Sequence, residues 1–143
     1  MSETSTFISR KGIAGYSPEK IFNFAADIRN FKRFIPANAI SGLVAEKDSC
    51  RFSVSMLGNV EVRIKEKAEF SLIVYSGTLL QTNTFDFYLY MEQGGNQNTE
   101  LFIEVKAEMN PMLKMIASEP LKKFLENLIT EIEKFESWDD VVS

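Results

Sequence analysis

The 143-residue sequence contains no histidine and one cysteine, Cys50. Without histidine there is no Ser-His-Asp triad, no Cys-His pair and no imidazole ligand for zinc or iron. With a single thiol there is no internal disulfide framework and no multi-cysteine metal site. What remains for chemistry is carboxylates, lysines, tyrosines and hydroxyls. No cofactor or metal is therefore expected, and no catalytic residue is assigned. Basic residues are outnumbered too: 16 Lys and Arg against 20 Asp and Glu leave a net charge of −4. A nucleic-acid binder needs a positive footprint for phosphates, and the whole chain offers none. The acidic surplus lies between Glu119 and Asp140, in a segment that also holds Lys122, Lys123 and Lys134. No apolar run approaches the roughly 20 residues that span a bilayer, so no membrane span is expected. The opening Met1-Ser2-Glu3-Thr4-Ser5-Thr6 lacks a basic region leading into an apolar stretch. With the lone thiol, this gives the expectation of a cytoplasmic protein.

What is present describes one ordinary folded domain over residues 1–143: 45% hydrophobic and 25% charged residues. Phe7 to Tyr16 reads as a first strand. Ser17-Pro18 then starts a helix, the hydroxyl capping free N–H groups and the proline tolerating the first helical position. Ile21, Phe22, Ala25 and Ile28 give that helix an apolar face, Asn30 interrupts it, and Phe31, Phe34 and Ile35 suggest a further short turn before Pro36. From Ala39 to Met109 the period becomes two. Cys50, Phe52, Val54 and Met56 alternate with Arg51, Ser53 and Ser55; after a turn at Gly58-Asn59, Val60, Val62 and Ile64 alternate with Glu61, Arg63 and Lys65. Leu72 to Leu80 is a less regular strand. Phe85, Phe87, Leu89 and Met91 alternate with Asp86, Tyr88 and Tyr90; beyond a turn at Gly94-Gly95-Asn96, Leu101, Ile103, Val105 and Ala107 alternate with Phe102, Glu104, Lys106 and Glu108. Each strand has one dry face, as in an antiparallel meander. Asn110-Pro111 starts a closing helix with a stripe of Leu121, Phe124, Leu125, Leu128, Ile132 and Phe135. Pro120 is expected to kink or restart it near Ser118. The dry sheet face must be covered, and this helix is the available cover.

That order of elements resembles the SRPBCC superfamily of START-related, polyketide-cyclase-like and pollen-allergen-like proteins. The resemblance is carried by Tyr16-Ser17-Pro18-Glu19-Lys20-Ile21-Phe22, by Asp27-Ile28-Arg29-Asn30-Phe31 leading to Phe34-Ile35-Pro36, by Asn110-Pro111-Met112 and by Glu119-Pro120-Leu121. Asp48-Ser49-Cys50-Arg51-Phe52-Ser53-Val54 is similar to small members of Bacteroidetes type. The resemblance implies an α+β helix-grip fold: a curved antiparallel sheet of six to seven strands around a long C-terminal helix, with two short helices after the first strand. It also implies a cavity for lipids, quinones, polyketides or similar molecules, and it carries over no catalytic residue.

On this reading Phe52, Val54, Val62, Ile64, Phe87, Leu89 and Ile103 line either a ligand cavity or a solid core. Met112, Met115 and Ile116 suit the mouth of a cavity, because methionine adapts to variable apolar partners, or equally a gap-filling core. Tyr88 and Tyr90 belong to the outer face, with a basic stripe of Arg63, Lys65 and Lys67. Asp27, Glu46, Glu66 and Glu69 are the carboxylates nearest element ends, Arg10 and Lys11 are candidates to anchor a ligand's acid group, and Cys50 is read as a small buried hydrophobe. The leading expectation is non-catalytic binding of an apolar or amphipathic small molecule, with weak homodimerisation compatible with it. The alternatives are an interaction module with a filled core, acting through Tyr88 and Tyr90, and a cyclase or hydratase using carboxylates and tyrosines.

Overall fold

Alternating side chains over most of the chain build a single curved sheet, whose dry face receives the helices. The computed structural model describes residues 3–33, 40–54, 58–79 and 83–134. In chain order these form β1 (Glu3–Ile8), β2 (Gly12–Ala14), α1 (Pro18–Ala25), a 3-10 segment (Ile28–Arg33), β3 (Ile40–Ala45), β4 (Ser49–Val54), β5 (Gly58–Ala68), β6 (Leu72–Leu79), β7 (Asn83–Gln93), a 3-10 turn (Gly95–Gln97), β8 (Thr99–Met109) and α2 (Pro111–Lys134). The antiparallel order is β1-β8-β7-β6-β5-β4-β3, and β2 also pairs with β8. Strands β3 to β8 follow one another as the expected meander. Pro36, Met56, Leu80 and Phe135, which entered the sequence reading, lie outside the described residues.

The sheet has eight strands rather than six or seven, because the first apolar segment is divided. Ile8 pairs with Glu104 and Gly12 with Leu101, so Ser9–Lys11 face one residue fewer on β8. Such an insertion bends the strand. Ser9 fills the gap: its amide donates to the Ile103 carbonyl at 2.8 Å, and its hydroxyl accepts from the Ile103 amide at 2.9 Å. The proposed turn at Gly58-Asn59 also moves, since both residues already pair with Val54 and Ser53.

Both helix starts behave as their sequences predict. The Ser17 hydroxyl accepts from the Lys20 amide at 3.4 Å, and Asn110 Oδ1 accepts from the Leu113 amide at 2.8 Å. The end of α1 is held from two sides. Buried Asn30 donates from Nδ2 to the Phe24 carbonyl at 2.9 Å, and the Tyr75 hydroxyl donates to the Ala25 carbonyl at 2.7 Å. Both carbonyls lie in the last turn of α1, where regular helical bonds run out; Phe24 also accepts from the Asp27 amide at 3.3 Å. The expected restart near Ser118 does not occur: α2 runs unbroken through Pro120. Buried Leu113 and Ala117 before the proline and Leu125 and Leu128 after it hold one face of α2 in the core. Packing of that face outweighs the loss of one backbone bond.

Close approach of β5 and the Phe85 ring to β6 depends on Gly77. A Cβ there would lie 1.9 Å from the Glu61 carbonyl oxygen and 2.9 Å from Cζ of Phe85. The neighbouring backbone therefore occupies the space that any side chain needs. Gly77→Ala should lower stability by about 3 kcal/mol or more, at the upper end of overpacking effects. Gly95→Ala is the control, because a Cβ at that position meets nothing within 4 Å. Urea denaturation of both variants checks this, and equal midpoints would contradict it.

Candidate functional site

Register places the dry residues of β4 to β8 in continuous rows across the concave face. One row runs Cys50, Val62, Gly77, Phe85, Ala107; the next runs Ile64, Tyr75, Phe87, Val105 and ends on Phe7 of β1. The two halves of this face are covered differently. On β8, Leu101, Ile103, Val105, Ala107 and Met109 are all buried, as are Leu125, Leu128, Ile129 and Ile132 of α2. Helix α2 packs on β1, β2 and β8, whereas α1 packs on β6 and β7. At Gly12 the approach of α2 is so close that a Cβ would lie 2.7 Å from Cγ2 of Ile129. Further round the curve, Leu43, Phe52, Val62, Ile64, Phe85 and Phe87 are only half-buried, as are Leu121 and Phe124 on α2. This half-covered apolar surface is the candidate site.

Of the residues singled out from sequence, Phe52, Val62, Ile64 and Phe87 belong to this surface. Leu89 and Ile103 face the same way but are buried in the core, at 3% and 0% exposure. Val54 is described by its backbone, paired with Ile40 and Gly58. Met112, Met115 and Ile116 are exposed on the first turns of α2, by 72%, 81% and 43%, while Leu113 and Ala117 of the same turns are buried. Leu121, Phe124 and Phe85 were legible as apolar positions without being read as site residues. Tyr75 was missed because its strand has an irregular pattern. Its ring meets Phe87 edge-on with centroids 5.7 Å apart, and burial raises its hydroxyl pKa. Cys50 is buried beside it, and desolvation pushes its thiol up to about 11, so the thiolate needed for nucleophilic work is disfavoured.

Arg10, Lys65 and Asp27 are engaged in ion pairs. Arg10 turns to α2, where its Nη2 lies 2.8 Å from Glu133 and its Nε 3.3 Å from Glu126. Thr130 Oγ1 accepts from the same guanidinium at 3.0 Å. Lys65 reaches Asp86 at 3.7 Å on the convex face. Lys67 pairs with Ile73 beyond a register shift at Ile64 and Glu66, so the anticipated stripe with Arg63 is interrupted. Glu46, Glu66 and Glu69 are exposed. Asp27 is buried and accepts from Arg29 Nη2 at 2.6 Å and Nε at 2.9 Å. These hydrogen bonds hold the Asp27 carboxyl below its ordinary value against the opposing effect of burial. A general acid requires the opposite shift.

No family model and no curated protein matches the sequence. Solved structures match it in three dimensions. Norcoclaurine synthase from Thalictrum flavum superposes with a TM-score of 0.72 at 9% identity, over 93% of this chain and 86% of that one. The chain has the helix-grip fold. The Mll3558 protein from Rhizobium loti gives a TM-score of 0.66 at 15% identity, over 92% of this chain and 99% of that one. Ara h 8.0201 gives 0.62 at 13% identity, over 92% and 97%. These neighbours are Bet v 1-like and START-like helix-grip proteins, a group related to the SRPBCC superfamily, and at such identities they speak to fold alone. The plant synthase has also been solved in complex with dopamine and hydroxybenzaldehyde.

The Asp27–Arg29 pair has a pH signature. A carboxyl whose pKa is lowered by folding stabilises the protein above the ordinary carboxylate range and loses that contribution as pH falls through the lowered value. Asp27→Asn should therefore be less stable than wild type at pH 7, with the gap narrowing below about pH 4. Urea midpoints at pH 7 and pH 3 check this, and a gap of equal size at both would contradict it.

Proposed function

We propose that this protein binds an apolar or amphipathic small molecule, without catalysis, in the manner of a soluble SRPBCC-type carrier. The observation that carries the reading is the uneven cover of the concave face. Strand residues opposite the second half of α2 are sealed, whereas Phe52, Val62, Ile64, Phe85 and Phe87 keep partial contact with solvent despite lying on the dry face. Partly wetted apolar surface in a concavity gains free energy when an apolar ligand displaces the water. The Thalictrum synthase in complex with two small aromatic molecules supports the idea that this fold accommodates such ligands. The proposed floor is Phe52, Val54, Val62, Ile64 and Phe87, backed by Leu89 and Ile103. Met112, Met115 and Ile116 form the proposed rim, where exposed, conformationally adaptable side chains meet an incoming ligand. Binding is preferred over cyclase-type catalysis because the half-covered surface is built from apolar side chains and the buried Asp27 carboxylate is engaged by Arg29. The interaction-module reading draws its support from Tyr88 and Tyr90, which stack on the convex face.

A saturable titration with a long-chain fatty acid, displacing a hydrophobic fluorescent dye, tests the proposal. Val62→Trp should weaken fatty-acid binding by roughly tenfold or more while the protein stays folded, because the indole fills the floor. Met115→Trp, out on the rim, should slow association with a smaller effect on affinity. Unaltered affinity in Val62→Trp, or no saturable binding to the wild type, would overturn the reading.

A further inference from the structure

The convex face carries a second concavity, separate from the surface above. It is an open groove of about 370 Å³ floored by Leu72, Tyr90 and Phe102 and bordered by Glu92, Glu100 and Lys11. Leu72 pairs with Tyr90 and Tyr90 with Phe102, so the floor is one row across three strands. The Tyr90 and Phe102 rings stack with centroids 4.7 Å apart at 18°, and Tyr88 continues the ladder 6.0 Å from Tyr90. At the Tyr88 end a cation is already in place: the Lys106 ammonium lies 5.4 Å from the ring centroid. Among the described residues no such ammonium–ring contact occurs at the Tyr90–Phe102 end, and the charge beside it is negative. Glu92 and Glu100 are directly opposed partners on β7 and β8, an unfavourable pairing of like charges. Among the described residues neither makes an ion pair within 4 Å, with Lys11 or with any other base. With Lys11 counted, the lining has a net charge of −1.

We propose that this groove is a binding site for a small organic monocation with a planar apolar body, an amidinium, guanidinium or arylammonium compound. The aromatic row supplies an apolar wall for the body, Glu92 and Glu100 share the positive charge, and the two carboxylates' mutual repulsion is relieved on binding. The groove's volume falls within the range of small-molecule sites. This site does not depend on the concave one, and either can fail without the other.

Benzamidine is the probe, with neutral benzamide as its uncharged counterpart, titrated into the isotopically labelled protein and followed by backbone amide shifts. Saturable benzamidine shifts are expected at 71–72, 90–92 and 100–102, with benzamide at least tenfold weaker. The double variant Glu92→Gln/Glu100→Gln, altered only at exposed positions, should bind benzamidine at least tenfold more weakly with a melting temperature equal to or above that of the wild type, since the like-charge pairing is removed. Phe102→Leu should weaken it as well. Equal shifts with benzamide, unchanged affinity in the double variant, or shifts confined to Val62 and Phe87 would overturn the proposal.

Discussion

Everything about the concave face follows from where α2 is pinned. Gly12 in β2 has no side chain, so Ile129 packs directly on the strand backbone. Arg10, thrown outward by the break after Ser9, forks onto Glu126 and Glu133, and Glu133 also accepts from the Ile13 amide at 3.1 Å. These ion pairs are solvent-exposed, and such pairs contribute little by themselves. The apolar contact between α2 and the strand edge is what fixes the helix position, with the charges setting its rotation. A helix anchored to β1, β2 and β8 cannot also seal β4 and β5 on the far side of a strongly curved sheet. The half-covered surface is thus a consequence of the clamp.

The same strand break serves both purposes. Ser9 keeps the ladder bonded through its own hydroxyl, freeing Arg10 to meet the helix and directing Lys11 to the convex groove. Gly77 performs a comparable task in the middle of the sheet, where absence of a side chain lets β5 and the Phe85 ring close in. Two glycines therefore let neighbours close in on the strand backbone: Gly12 admits Ile129 of the helix, and Gly77 admits β5 and the Phe85 ring.

Much of this was legible in the sequence, and the exceptions have physical causes. Period-two alternation in β7 and β8 placed the inward residues from Phe85 to Met91 and from Leu101 to Ala107, because each strand has one wet face; Thr99 and Met109, at the ends of β8, are inward as well. Ser17-Pro18 and Asn110-Pro111 marked both helix starts through chemistry local to a single turn. What local pattern does not record is pairing register. The insertion at Ser9–Lys11 and the shift between Ile64 and Glu66 exist only relative to a partner strand, so one strand was read where two occur. Pro120 was given too much weight because the core contacts of Leu113, Ala117 and Leu125 are non-local. For the site, Phe52, Val62, Ile64 and Phe87 were readable as inward residues. Which inward residues are sealed, as Leu89 and Ile103 are, depends on the path of α2 across the sheet. Tyr75 is hidden by the irregular pattern of β6, and its hydrogen bond to the Ala25 carbonyl, 50 residues away along the chain, leaves no local signal either.

The central claim is that the half-covered concave surface, with Phe52, Val62, Ile64 and Phe87 on the sheet and Leu121 and Phe124 on α2, receives an apolar ligand while the sealed surface at Ile103 and Ile129 does not. Intermolecular nuclear Overhauser effects between a saturated fatty acid and the methyl groups of the labelled protein test this most directly. The account predicts contacts to Val62 and Ile64 with none to Ile103 or Ile129. Contacts to Ile129, or to methyls of the convex face alone, would contradict it.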